Sequence, residues 1–118
     1  MPLTTDTPSW AFYDLDDLKT QRAIAGKPYM EFLRTPTLSM GLYVLKTGEV
    51  DLQSPHTRDE TYQIITGKAM FRIGDEERPI QAGTTIFIKA GVEHRFHSIT
   101  EDLEMLVFFE EASARKIR

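Results

Sequence analysis

The sequence holds three histidines, and two of them lie where a small β-protein could bring them together with a carboxylate. His56 comes four residues before Glu60, and Tyr62 follows Glu60 at the period-two spacing that puts two side chains on one face of a strand. His94 begins a separate apolar run 34 residues after Glu60. An antiparallel barrel can fold that distance back, so two imidazoles and one carboxylate could meet inside it. Because the chain has no cysteine, any metal at this point must be held by nitrogen and oxygen.

The same residues also fit a metal-free barrel. In that case Glu60 pairs with Arg58 or Lys89, and the histidines are merely hydrogen-bonded. Tyr62 would then pack its ring in the core with its hydroxyl group satisfied. His97 has the strand parity opposite to that of the preceding histidine, so we expect it at the surface or the rim.

The segment before these residues predicts one short helix. Asp14 and Asp17 resemble a helix start, and Gly26 followed by Pro28 marks a stop. We therefore expect a helix over Leu15–Ala25.

After this helix, short apolar runs rich in aromatic and β-branched residues alternate with turn residues, a pattern typical of strands. The predicted strands are Tyr29–Arg34, Leu38–Lys46, Thr61–Thr66, Ala69–Ile73, Arg78–Gln81, Thr85–Ile88, His94–Ile99 and Leu103–Phe109. Five of the seven glycines fall between these runs, where tight turns need positive φ. Eight such strands without a long helix predict an all-β sandwich or barrel. The apolar residues expected to line it by alternation are Met40, Leu42, Ala69, Phe71, Phe96 and Phe108.

Length and charge limit the function classes. With 118 residues the chain fits one domain, which we place at residues 10–118 after a flexible lead-in over residues 1–9. The net charge of −4 repels a phosphate backbone, so nucleic acid is not an expected partner. The sequence shows no signal or membrane-spanning segment, and we expect a cytoplasmic protein without a membrane partner. Apolar residues at Trp10, Phe12 and Leu106–Phe109 predict a homodimer.

Two glycine-bounded motifs surround these residues: Gly48, Ser54, His56, Glu60 and Gly67, and then Gly83, Lys89, Gly91, His94 and Ser98. Their spacing resembles that of the two motifs of the cupin superfamily. The first cupin motif reads glycine, five residues, histidine, one residue, histidine, three or four residues, glutamate, six residues, glycine. It is matched here by Gly48, Ser54, His56, Glu60 and Gly67, with Ser54 standing where the family has its first histidine.

The second cupin motif reads glycine, five residues, proline, one residue, glycine, two residues, histidine, three residues, asparagine. Its positions are filled by Gly83, Lys89, Gly91, His94 and Ser98, with lysine in place of the proline and serine in place of the asparagine. The resemblance covers roughly residues 40–109. It implies a small antiparallel β-barrel, the cupin or double-stranded β-helix jelly roll, with the short helix before it.

The resemblance also implies a metal site. Carried over by position, it assigns metal ligation to His56, Glu60 and His94, and Ser54 is too weak a ligand to be the fourth. Two histidines and a carboxylate suit Fe(II), and Mn(II), Ni(II), Co(II) or Zn(II) are also acceptable. The spacing of Tyr62 is similar to that of a tyrosine in the cupin lyases that cleave dimethylsulfoniopropionate, so Tyr62 is the candidate catalytic acid or base.

The function implied is a metal-dependent protein that binds or converts a small organic molecule. If it is an enzyme, an oxygenase or a lyase fits the site. Two alternatives remain open: a non-catalytic binding protein of the same fold, and a metal-independent sugar epimerase or isomerase. Lys89 has two interpretations, as a cation in the cavity that recognises an anionic ligand or as a solvated side chain.

Overall fold

The structure is a computed structural model that describes residues 7–52 and 57–111. Its elements are α1 (Leu15–Ala25), β1 (Tyr29–Arg34), β2 (Leu38–Leu45), β3 (Glu60–Ile73), β4 (Glu76–Gln81), β5 (Thr85–Ile88) and β6 (His94–Glu110). Among the described residues, no helix is both long and apolar enough to cross a membrane.

The helix α1 has the predicted bounds because its sequence carries a start signal at one end and a stop signal at the other. Asp14 precedes it in an extended conformation, and Asp16 and Asp17 place negative charge in its first turn, where the helix dipole favours it. Gly26 ends it in the left-handed conformation, with φ of 72°, and donates its N–H to the last turn. Leu18 is the buried residue of α1 and packs against β2.

The sheet is antiparallel throughout. Hydrogen bonds connect the strands in the order β1-β2-β6-β3-β4, and β5 pairs with β3. The long strands β3 and β6 pair along most of their length, from Glu60 opposite Phe109 to Ile73 opposite His94. Their twist and bends curl the sheet into a jelly-roll barrel, although the hydrogen-bonded path over the described residues is open at β1 and β4. The predicted all-β barrel with one short helix is confirmed.

The predicted division into eight strands is wrong, because residues 7–52 and 57–111 form six. The predicted breaks at Gly67 and between Ile99 and Leu103 lie inside β3 and β6. Register shifts between Ile64 and Met70 absorb the bend there, so the ladder continues past it. Turn-forming residues therefore mark bends within these strands as well as their ends.

On β2 and on the second half of β6, the residues that face the barrel interior are not the ones that alternation predicts. Ala69, Phe71 and Phe96 lie in the main core, as predicted. Leu42 instead lies on the outer face, in a second cluster with Leu18 of α1. The inward positions of β2 and of the second half of β6 belong to Tyr43, Leu45, Val107 and Phe109. Because α1 covers the outer face, both faces of β2 are apolar and alternation alone does not tell them apart.

Candidate metal and ligand site

Glu60 and His94 open two different strands, β3 and β6, and the pairing of β5 with β3 brings them together. Glu60 pairs with Ile88 at the end of β5, and the turn over residues 89–93 leads from there to His94. The Asp59 carboxylate accepts a hydrogen bond of 2.9 Å from the Ala90 N–H and so ties this turn to the start of β3. The turn therefore delivers His94 beside Glu60.

Three of the predicted site residues meet at the Nε2 atom of His94. Glu60 Oε1 and the Tyr62 hydroxyl oxygen each lie 3.1 Å from this nitrogen. All three residues are buried, and the Tyr62 ring packs edge-on against Phe71 and Phe96 of the core. The period-two spacing of Glu60 and Tyr62 thus puts both side chains on the same side of β3.

The other nitrogen of His94 fixes the orientation of the ring. Nδ1 donates its proton to the Val92 carbonyl oxygen at 2.8 Å. In the neutral imidazole this leaves the lone pair on Nε2, facing the Glu60 carboxylate. Two acceptor atoms at 3.1 Å repel each other unless a proton or a cation lies where their lone pairs meet.

The direction of the His94 pKa shift shows that this point favours positive charge. Burial alone lowers this pKa, but the hydrogen bonds with Glu60 and the Val92 carbonyl, and the charges of Glu60 and Asp51, outweigh burial and raise the pKa above its usual value. In the absence of a metal, the pair therefore holds a proton more tightly than a free histidine does.

The donor atoms also fit a divalent metal. A nitrogen and an oxygen that each lie about 2.1 Å from one cation are separated by about 3.0–3.4 Å, depending on the angle between the bonds. The separation of 3.1 Å falls in this range. The Nδ1 contact with the Val92 carbonyl is the outer-shell hydrogen bond that metal-binding histidines usually make.

The third predicted ligand, His56, lies outside the described residues, as does Ser54. Within residues 7–52 and 57–111 no group of three or more histidine, aspartate or glutamate side chains is arranged to hold a metal. The structure thus brings together Glu60, Tyr62 and His94, and the complete three-ligand set stays a prediction.

Two other sequence interpretations concern surface residues. His97 lies outside the barrel, with its Nε2 atom 2.6 Å from the Glu77 carboxylate of β4, as its parity predicts. Lys89 is exposed, which favours the solvated interpretation of this residue.

Arg58 forms its ion pair with Glu111 at 2.7 Å, and not with Glu60 as one alternative required.

A cavity of about 530 Å³ opens beside Glu60, which is part of its wall. This volume lies within the range of small-molecule sites. The apolar wall consists of Pro28, Leu45, Val50, Leu52, Val107 and Phe109. Any group held by Glu60 is therefore next to a cavity that can take a small organic molecule.

Two tyrosines in the cavity wall keep their protons at neutral pH. Burial raises the pKa of Tyr29 to about 12, helped by the charges of Glu31 and Glu60. Burial, with the nearby Asp51 carboxylate, also raises the pKa of Tyr43. Both phenols are thus neutral: the Tyr43 O–H donates to Asp51, and the Tyr29 O–H can donate to a ligand.

Asp51 is a fully buried carboxylate that the sequence did not single out. Its Oδ1 atom accepts a hydrogen bond from the Tyr43 hydroxyl at 2.8 Å, and its Oδ2 atom accepts one from the Phe96 N–H at 3.0 Å. Asp51 therefore ties the segment after β2 to β6 and to the cavity wall. Its contacts join residues far apart in the chain, so no local pattern identifies it.

Replacing Asp51 with alanine is expected to lower the free energy of unfolding by about 3 kcal/mol. The substitution leaves two buried donors, the Tyr43 O–H and the Phe96 N–H, without an acceptor. Asp75→Ala, at an exposed turn, is the matched control and should change it by less than about 0.5 kcal/mol. Urea unfolding followed by circular dichroism measures both. Equal unfolding midpoints for Asp51→Ala and the wild type would show that Asp51 does not fasten this segment.

Arg58 is the second site residue that sequence reasoning missed, although a signal existed. It precedes Glu60 and Tyr62 at the same period-two spacing, and its side chain is part of the cavity wall. The sequence interpretation treated it only as a partner for Glu60.

The comparisons with known proteins agree with this fold. Residues 41–109 match the family model described as the cupin domain. The chain is 41% identical over 97 residues to an uncharacterized protein of Streptomyces coelicolor, covering 82% of this chain and 92% of that protein.

Solved structures resemble the chain at lower identity and show its fold. An RmlC-like cupin family protein with a double-stranded β-helix fold from Methanocaldococcus jannaschii superposes with a TM-score of 0.66 and 16% identity, covering 76% of this chain and 84% of that chain. The DMSP lyase DddQ from Ruegeria pomeroyi gives a TM-score of 0.61 and 22% identity, covering 66% of this chain and 40% of that chain. With the family model spanning more than half of its length, this chain belongs to the cupin domain family.

Proposed function

We propose that this protein binds or converts a small organic molecule at a divalent metal held by His56, Glu60 and His94. One observation carries the proposal: Glu60 contacts His94 Nε2 at 3.1 Å and is also part of the wall of the 530 Å³ cavity. The same carboxylate can therefore help to hold a cation and present it to a molecule in the cavity.

The residues around the site have separate parts in this proposal. The Val92 carbonyl keeps the His94 ring in one orientation and one tautomer. When bound, a divalent ion would supply Lewis-acid or one-electron chemistry at its open positions. The Tyr62 hydroxyl contacts His94 and is the proposed group for moving a proton.

Calorimetric titration of the metal-free protein tests the metal part of this proposal. We expect one equivalent of Fe(II), Mn(II), Ni(II), Co(II) or Zn(II) to bind at neutral pH. Affinity should fall as the pH is lowered, because His94 must lose its proton to bind a metal and its pKa is raised. No saturable binding by any of these ions would refute the metal-dependent function.

A non-catalytic binding protein is the second candidate, and the burial of Tyr62 favours it. Its ring is fully buried in the core and its hydroxyl contacts His94, so it can serve packing alone. The fold likeness to a DMSP lyase does not decide between lyase and binding protein. A ligand that binds and is recovered chemically unchanged after prolonged incubation, as seen by NMR, would support this candidate.

We further propose a cytoplasmic homodimer. Trp10 and Phe12 are 78% and 91% exposed, which leaves apolar area for a second copy to cover, and the sequence without cysteine permits a reducing compartment. Light scattering is expected to give twice the 13.5 kDa of one chain. A value of one chain across micromolar concentrations would contradict the dimer.

A further inference from the structure

The polar groups in the cavity wall do not balance in charge. The charged residues among the described lining residues are Lys27, Arg58 and Glu60, and Tyr29 and Tyr43 line the cavity as well. Two basic residues and one acidic residue thus line the described part of the cavity. If Glu60 binds a metal, the cation offsets its negative charge, and the other charged residues that line the cavity are both basic.

Arg58 is held in place with hydrogen-bonding capacity left over. Its guanidinium group lies 4.4 Å from the centre of the Phe109 ring, and its Nη1 atom donates to Glu111 at 2.7 Å. No hydrogen bond among the described residues uses its Nε or Nη2 atoms. A fixed planar guanidinium with free donors is well suited to bind a carboxylate through two parallel hydrogen bonds.

Arg58 belongs to an ion-pair network with Glu111, Arg34 and Glu31, in which two arginines meet two glutamates. Glu111 shares its carboxylate between Arg58 and Arg34, with its Oε1 atom 2.6 Å from Arg34. Lys27 forms no ion pair within the described residues. Among the described lining residues, Lys27 is therefore the cation without an ion pair and Arg58 contributes free hydrogen-bond donors, while the other wall is apolar.

From this arrangement we propose that the cavity selects small organic anions with an apolar body, carboxylates in particular, and that Arg58 binds the anionic group. This inference rests on the proposed function for its site and adds the class of ligand. The apolar wall at Leu45, Val107 and Phe109 takes the body of the molecule. The Tyr29 hydroxyl, neutral at physiological pH, is a further donor for the anion.

A pair of matched probes tests the inference: hexanoate and hexanamide, which share their apolar chain and differ in charge. Both are titrated by calorimetry into the full chain, first free of metal and then loaded with it. The metal-free form isolates the contribution of the wall, because a carboxylate can also ligate a metal. We expect hexanoate to bind at least about tenfold more tightly than hexanamide in the metal-free form. Equal binding of the two probes overturns the inference.

Variants assign the preference to Arg58. Arg58→Gln should weaken hexanoate binding about tenfold or more and leave hexanamide binding unchanged, and Arg58→Lys should give an intermediate loss. Arg78→Gln is the matched control, because Arg78 is exposed on β4 and pairs with Glu76 away from the cavity wall. Thermal unfolding checks that each variant folds. If Arg58→Gln does not fold, Arg58→Lys and the two probes on the wild type carry the test.

The outcome separates this inference from the proposed function. Hexanoate binding that depends on Arg58 in a protein that binds no metal supports the inference and counts against the metal-dependent function. Saturable metal binding with no preference for hexanoate overturns the inference and leaves that function standing. Loss of hexanoate binding in Arg78→Gln as large as in Arg58→Gln would also overturn it, because the effect would then be one of general charge.

Discussion

Replacing Glu60 with alanine is expected to lower the affinity of the protein for divalent metal ions by at least about 100-fold. Glu60 supplies the only carboxylate in the proposed ligand set, and its Oε1 atom already faces His94 Nε2 at 3.1 Å. Without it, two neutral imidazoles must hold the ion, and the charge that offsets the cation is gone. Calorimetric titration with Mn(II) and Zn(II) measures the change.

Two variants control this experiment. Glu60→Gln keeps the shape of the buried side chain and removes its charge, so a similar loss assigns the effect to the carboxylate. His97→Ala removes an imidazole from the outer face, where it contacts Glu77, and should leave metal affinity unchanged. A Glu60→Ala protein that binds metal as tightly as the wild type would remove Glu60 from the ligand set.

Substituting Gly67 with alanine is expected to lower the free energy of unfolding by about 4 kcal/mol. Gly67 has φ of 104° at the bend of β3, a conformation that residues with a side chain rarely adopt. A methyl group there would also overlap the backbone carbonyl of Asp102 on the neighbouring strand β6. Backbone strain and this overlap add together.

Gly83→Ala is the matched control for that measurement. Gly83 has a similar φ of 95°, but no atom lies within 4 Å of the position where a Cβ would be. The strain remains and the overlap does not, so we expect a loss of about 1–2 kcal/mol. Urea unfolding of both variants gives the comparison. Equal losses would show that β3 and β6 can move apart at Gly67.

The sequence predicted the elements best where local chemistry decides. The bounds of α1, β1 and β5 follow from caps and turn residues and are confirmed. The strand breaks at Gly67 and before Leu103 are wrong because glycine and polar residues serve both turns and bulges. Only pairing between distant strands tells the two apart.

The site residues also fall into those that the sequence identifies and those that only the folded structure identifies. Glu60, Tyr62 and His94 were identified from period-two spacing and the two motifs, and the structure brings them together. Arg58 shares that spacing, but its importance depends on the cavity and on its contact with Phe109, which only the folded barrel creates. Asp51 depends on partners on two other strands, so the sequence offers no pattern for it.

The most direct test of the central claim is anomalous diffraction from crystals of the protein loaded with one equivalent of Mn(II) or Zn(II). We predict one strong peak, within about 2.2 Å of Glu60 Oε1 and of His94 Nε2, with His56 as the third protein ligand. A metal at this point would lie beside the cavity and close to Tyr62. A peak away from Glu60 and His94, or no peak in crystals of protein that carries a full equivalent, would contradict the metal site.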